Sequence, residues 1–232
     1  MRFQSANPIL EQNMDFEQAR FNMVEQQIRP WNVLDFDVLD AVSDIPREAF
    51  VMENQRGYAY ADMPLVLPNG GYMLEPKIIA RMVQGLALKK TDQVLEVGTG
   101  SGYATALLAS LAAQVQTFDT DNTQLQTAKA VLDRLDFHNI RYEHGDGFAE
   151  QHSHNRYDAV YIGGGLPVVP ENLKARLNDG GRMVVVAGKA PVQHCLLITR
   201  HGDEFSQTVL FDTLVTGLDA KAVPANGSRF KF

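Results

Sequence analysis

The sequence predicts an α/β protein: a doubly wound, mostly parallel seven-stranded sheet with an N-terminal helical extension and a C-terminal antiparallel hairpin. Three observations predict it. From about residue 91, short apolar runs alternate with segments of helical period, the pattern of strands joined by crossover helices. The first of these runs ends in an acid and a glycine-rich turn, Glu96-Val97-Gly98-Thr99-Gly100-Ser101-Gly102. The last two runs are separated only by His201-Gly202-Asp203, too little chain for a crossover, so they pair with each other.

Taken in order, residues 1–13 are polar, contain Pro8 and form a leader expected to be poorly ordered, with Met14 an alternative start. Residues 14–90 form the N-terminal region. Within it, 15–56 is helical: Phe16, Ala19, Met23 and Ile28 fall near helical spacing, and Val33, Leu34, Val38, Leu39 and Val42 follow. Pro30 and Pro46 divide this stretch into short helices, and Trp31 is expected to anchor them, with lining of a peptide groove near the cleft as its alternative. Residues 91–232 form the α/β core of what is one structural domain overall. Its strands are expected at 93–97, 114–119, 140–143, 157–162, 182–187, 194–200 and 206–215, and its helices at 102–112, 121–135 and 170–177.

Composition narrows the function. The chain has 232 residues, a formal net charge of −7 and no run of Lys or Arg, which gives no footprint for a phosphate backbone; nucleic acid is not expected as a partner. No 18 apolar residues run together and the N-terminus lacks an apolar signal core, so no membrane association and a cytoplasmic location are expected. Cys195 is the sole cysteine, which excludes an internal disulfide and a thiolate metal cluster. His152 and His154 form a His-x-His pair in a polar stretch, read as a solvated loop, and no metal site is expected.

The glycine turn selects the ligand class. Glycines let backbone approach a nucleotide-like ligand closely. A dinucleotide fingerprint needs a third glycine at position 103, which is Tyr103, and this disfavours a nicotinamide enzyme. Asp119 ends the next apolar run, where a carboxylate accepts from ribose hydroxyls, and Asp146 in Gly145-Asp146-Gly147 is placed to accept from an adenine amino group. An adenosine cofactor without a pyrophosphate points to S-adenosylmethionine (AdoMet), with S-adenosylhomocysteine as product. The cofactor residues are therefore Glu96, Gly98, Thr99, Gly100, Ser101, Gly102, Asp119, Asp146 and Gly147. Glu96 has a structural reading as a partner for backbone amides or a nearby cation, and its position also allows a negative charge near the methionyl ammonium.

Several segments resemble the protein-L-isoaspartate (D-aspartate) O-methyltransferases. They are Asp37 to Val42, Ile45-Pro46-Arg47-Glu48-Ala49-Phe50-Val51, Ala59 to Leu65, the glycine turn, Gly145 to Gly147, Tyr157 to Val160, Pro167 to Pro170 and Leu177 to Arg182. The resemblance implies the Rossmann-like AdoMet methyltransferase fold and an O-methyltransferase that esterifies the carboxylate of isoaspartyl residues in damaged proteins. It also implies that Tyr72 and Met73 contact the cofactor and that Leu74 and Gly163-Gly164-Gly165 line the substrate, with residues 57–76 lying over the cofactor and the substrate loop within 14–90. Two positions depart from the family. Its Thr-Ile-Ser-Gln-Pro signature stands here as Tyr72-Met73-Leu74-Glu75-Pro76, so Leu74 replaces the serine that meets the acceptor carboxylate. The loop at Gly163 to Gly165 stands where the family shows Thr-Ala-Ala or Gly-Ala-Ala. No catalytic residue is assigned; Asp62 and Glu75 are the candidate bases if the acceptor is a hydroxyl or amine. A divergent paralogue acting on another small or peptide acceptor, and an AdoMet-binding module without turnover, remain as alternatives.

Overall fold

The structure is a computed structural model that describes residues 15–149 and 154–218. The leader at 1–13, Met14, His152 and the terminal Phe230-Lys231-Phe232 lie outside the described residues.

The N-terminal region begins with α1 (Phe16–Met23), capped by the Asp15 carboxylate, and loosens into a π-turn before a 3-10 turn over Arg29–Trp31. Pro30 has no amide to continue the ladder, which accounts for the break. Helix α2 (Phe36–Asp44) follows an Asp35 cap and buries Val38, Leu39, Ala41 and Val42. Two 3-10 segments, Arg47–Phe50 and Glu53–Tyr58, lead to a small hairpin of β1 (Leu65–Val66) and β2 (Tyr72–Met73). Helix α3 (Pro76–Leu86) starts with proline at its first turn and buries Ile78, Ile79, Met82, Val83 and Leu86.

The main sheet contains β3 (Gln93–Val97), β4 (Gln114–Asp119), β5 (Ile140–His144), β6 (Tyr157–Leu166), β7 (Leu177–Lys189), β8 (Val192–His201) and β9 (Glu204–Thr213), in the order β5-β4-β3-β6-β7-β8-β9. Pairing is parallel from β5 to β7 and antiparallel for β7-β8 and β8-β9. The final strands thus meander outward as the predicted hairpin, with β9 at the edge. Helices α4 (Tyr103–Leu111) and α5 (Asn122–Arg134) follow β3 and β4, and α6 (Glu171–Lys174) precedes β7.

The chain leaves β3 for β4 and β5, then returns to place β6 on the other side of β3. This strand-order reversal opens a crevice at the carboxyl ends of β3 and β6. Alternation along β3 separates two cores. Val94 faces a cluster shared with α2, α3 and α4, while Leu95 and Val97 pack with Val160, Ile162 and Val185 on the opposite face.

Three differences from the sequence reading have physical causes. Helix 170–177 stops at Lys174 because Arg176 turns into the core and Leu177 already pairs with Tyr157. Strands β6 and β7 run longer than expected, with register shifts between Tyr157 and Ala159 and between Tyr161 and Gly165 absorbing the mismatch. Helix α3 and the β1-β2 hairpin were not anticipated as elements. Trp31 packs under the ammonium of Lys77, 4.2 Å from its ring centroid, and edge-on to Phe211. Among the described residues no helix is long and apolar enough to cross a membrane, and no group of three or more His, Cys, Asp or Glu could hold a metal.

Candidate active site

The glycine turn is held from below by its neighbours. The Gly98 and Thr99 amides donate to the Phe118 carbonyl at 2.8 and 3.2 Å, and the Thr99 and Thr117 hydroxyls meet at 2.6 Å. Gly98, Gly100 and Gly102 have φ of 91°, 53° and 87°, values that side chains resist. The Gly100 peptide is clamped on both sides: its amide donates to Asp119 Oδ2 at 2.9 Å, and its carbonyl accepts from Gln124 Nε2 at 2.8 Å. Ser101 then accepts from the Tyr103 amide at 3.2 Å, and α4 begins after Gly102.

Asp119 ends β4 partly buried. Its second oxygen accepts from the Asp121 amide at 2.9 Å. Burial raises its pKa above the ordinary carboxylate value, and the two amide bonds oppose that rise. One strand further out, Asp146 stands exposed with Oδ1 on the Phe148 amide at 2.8 Å. Its turn is fixed from behind: buried Arg176 donates to the Gly147 carbonyl at 2.6 Å, and Asn172 to the Phe148 carbonyl at 2.8 Å. The turn, Asp119 and the Asp146 loop therefore line the carboxyl ends of β3, β4 and β5.

Glu96 corrects the sequence reading. Its carboxyl is fully buried beneath the turn, accepting from the Thr105 hydroxyl at 2.6 Å on the α4 side of the sheet. Burial pushes its pKa up to about 8, against the pull of the Thr105 and Thr117 hydroxyls, so it is predominantly neutral near pH 7. Its bond ties the end of β3 to α4 at Thr105, beneath the turn.

The hairpin closes one side. Leu67 lies 3.4 Å from where a Cβ on Gly100 would stand, and a cavity of about 240 Å³ between hairpin and turn is lined by Phe50, Leu65, Met73, Ser101 and Gln124 among others. Tyr72 points outward, whereas Met73 and Leu74 are each 4% exposed. Glu75 occupies the cap position of α3 without bonding it. Asp62 is engaged by Lys77 Nζ at 2.6 Å, an ion pair that occupies it as a base.

The glycines of β6 serve the chain itself. A Cβ on Gly163 would stand 2.5 Å from the Gly98 carbonyl oxygen, and one on Gly164 would stand 2.8 Å from Leu218 Cα. Residues 215–218 cross here, with Gly165 donating to the Thr216 carbonyl and accepting from the Leu218 amide, both at 3.0 Å. The Leu218 side chain rests against Gly98. On the side where a Cβ would stand, the space beside Gly163 and Gly164 is thus taken by the cofactor turn and this returning segment.

Sequence reasoning missed Arg47, Gln124 and Arg176. All three act on main-chain carbonyls, at Ala59 and Leu74, at Gly100, and at Gly147. Arg47 lies in a segment already singled out, but carbonyl partners leave no residue signature.

A profile of the family described as protein-L-isoaspartate(D-aspartate) O-methyltransferase matches residues 18–220. The protein-L-isoaspartate O-methyltransferase of Desulfotalea psychrophila is 39% identical over 191 residues, covering 82% of this chain and 89% of that protein. The protein of the same name from a Roseiflexus species is 36% identical over 199 residues, covering 86% and 91%. Among solved structures, a putative protein-L-isoaspartate O-methyltransferase from Plasmodium falciparum in complex with S-adenosyl-L-homocysteine superposes with a TM-score of 0.73 at 19% identity, covering 88% of this chain and 98% of that one. Another protein-L-isoaspartate O-methyltransferase gives 0.73 at 24% identity, covering 87% and 65%. At these identities the structural likeness speaks for the fold.

Proposed function

The chain belongs to the protein-L-isoaspartate(D-aspartate) O-methyltransferase family, and from that premise we propose that it transfers the methyl group of AdoMet to the misplaced carboxylate of isoaspartyl residues in damaged proteins. The observation that carries the reading is the continuous family match over residues 18–220, which takes in both the cofactor turn and the segment ahead of it.

The residues present fit the cofactor. Each oxygen of Asp119 spends one lone pair on a backbone amide, which leaves acceptor capacity for two ribose hydroxyls. Asp146 is exposed at the next strand end for the adenine amino group. The positive φ of Gly98, Gly100 and Gly102 sets the path of the turn at the end of β3, where its backbone would face the methionyl portion. In this scheme the 14–90 region carries the substrate loop together with Tyr72 and Met73 for the cofactor, the 91–232 core carries the rest of the cofactor site, and the reaction belongs to the cytoplasm.

Bound AdoMet supplies a sulfonium methyl that is already activated. A carboxylate acceptor, with a pKa of about 4, is ionised at neutral pH, so no side chain need remove a proton. The chain's task is then alignment, holding the acceptor oxygen about 3 Å from the methyl carbon in a water-poor cleft. Met73 and Leu67 line the cavity beside the turn with apolar surface.

One observation favours a second reading. Leu74 is packed in the core and offers hydrocarbon where the family has a hydroxyl, which suits a paralogue with another acceptor. Incubation with methyl-labelled AdoMet and an isoaspartyl peptide, against its aspartyl counterpart, separates the two. Base-labile methyl ester on the isoaspartyl peptide alone is the expected result. Binding of S-adenosylhomocysteine without transfer to either peptide would overturn the substrate assignment and leave the paralogue or a module without turnover.

A further inference from the structure

Arg47 is a fully buried cation that ties the acceptor segment to the cofactor turn. It opens the 3-10 turn after Pro46, and its donors reach across the substrate loop. Nε donates to the Ala59 carbonyl at 2.8 Å, where the loop begins, and Nη2 donates to the Leu74 carbonyl at 2.7 Å, where it ends. The guanidinium carbon sits 4.8 Å from the centroid of the Tyr103 ring, and Phe50 packs edge-on to the same ring at 5.6 Å. Tyr103 directly follows Gly102, so the ring under Arg47 is anchored to the cofactor turn.

A buried cation is an expensive prop, and an apolar side chain of similar volume often stabilises a core as well or better. Burial lowers the pKa of Arg47 to about 10, which still leaves it charged at neutral pH. What an apolar side chain cannot do is hold two carbonyls from opposite ends of a loop at fixed directions from one planar fork. Resting on the proposed methyl transfer, we infer that Arg47 is a positioning residue for the reaction, setting the Leu74 segment at a fixed height over the cofactor turn so that the acceptor meets the methyl in line.

The test uses Arg47→Lys and Arg47→Gln in the full chain. Lysine keeps the charge but presents a single nitrogen in place of the planar fork. For both variants kcat should fall by about 100-fold, the scale of a misplacement near 1 Å, while S-adenosylhomocysteine affinity by calorimetry stays within about twofold. Amides at 59–62 and 72–75 should exchange hydrogen at least about tenfold faster than in wild type, with β3 and β4 amides unchanged. Folded variants with wild-type kcat, or with cofactor affinity lost in step with kcat, overturn the inference. If neither variant folds, wild-type exchange decides: amides at 72–75 as slow as those of the sheet support a fixed segment, and fast exchange there refutes it. Wild type inactive on the isoaspartyl peptide would sink the proposed substrate, while the variants' exchange patterns would still read the placement by Arg47.

Discussion

Replacing Glu96 by glutamine removes one proton-binding site from the core and leaves its shape almost unchanged. Native Glu96 titrates at about 8, against 4.5 for an unperturbed glutamate, because burial disfavours its charged form. The native state therefore holds this proton more tightly than the unfolded chain. As pH rises above 4.5 the unfolded state releases the proton first, and stability falls until the native carboxyl ionises near 8. Between about pH 5.5 and about pH 8 that loss amounts to roughly 1.4 kcal/mol per pH unit, or about 3 kcal/mol in all. Glutamine has no such titration, and its side-chain oxygen can still accept from the Thr105 hydroxyl. Urea unfolding of both proteins at several pH values should show Glu96→Gln gaining on wild type by about that amount as the medium becomes alkaline. Parallel stability profiles would refute the reasoning, because they would mean that Glu96 is already ionised in the native state. Affinity for S-adenosylhomocysteine gives a second readout. A group that is neutral and sealed beneath the turn should yield a change of no more than a few-fold on amidation, whereas a charge facing the cofactor ammonium would make it larger.

Asp119→Ala should weaken S-adenosylhomocysteine binding by about 10- to 100-fold, the worth of hydrogen bonds to a charged acceptor, since it also releases the Gly100 and Asp121 amides. Calorimetric titration checks this, and unchanged affinity would detach Asp119 from the cofactor. Cys195 is fully buried, and burial pushes its thiol pKa up to about 12, so the reactive thiolate is scarce at ordinary pH. At about pH 8 a maleimide should label the native protein far more slowly than the urea-unfolded chain, and equal rates would contradict the burial.

The parallel core was legible because its signals are local. Short apolar runs mark β3, β4 and β6, and the glycine spelling after β3 marks where a ligand approaches. The elements between residues 59 and 86 were harder for two different reasons. Strands β1 and β2 are two residues each, too short to carry any period. Helix α3 does carry one: Pro76 at its start and Ile78, Ile79, Met82, Val83 and Leu86 at helical spacing are a readable helix.

The site divides along the same line. Asp119 and Asp146 follow from strand ends, but the environment of Glu96 follows only from its face of the sheet. Strand alternation puts it on the side of Val94, toward α4, and away from the crevice. Its neighbours in the sequence suggested a ligand contact, while its parity along the strand already pointed inward. Arg47 and Arg176 lie beyond either kind of signal, since each bonds carbonyls 12 to 29 residues away, and a carbonyl is the same for every residue type. That anonymity decides how these residues should be tested. Changing Ala59, Leu74 or Gly147 leaves the accepting carbonyl in place, so only substitution of the arginine itself can release the segment it holds.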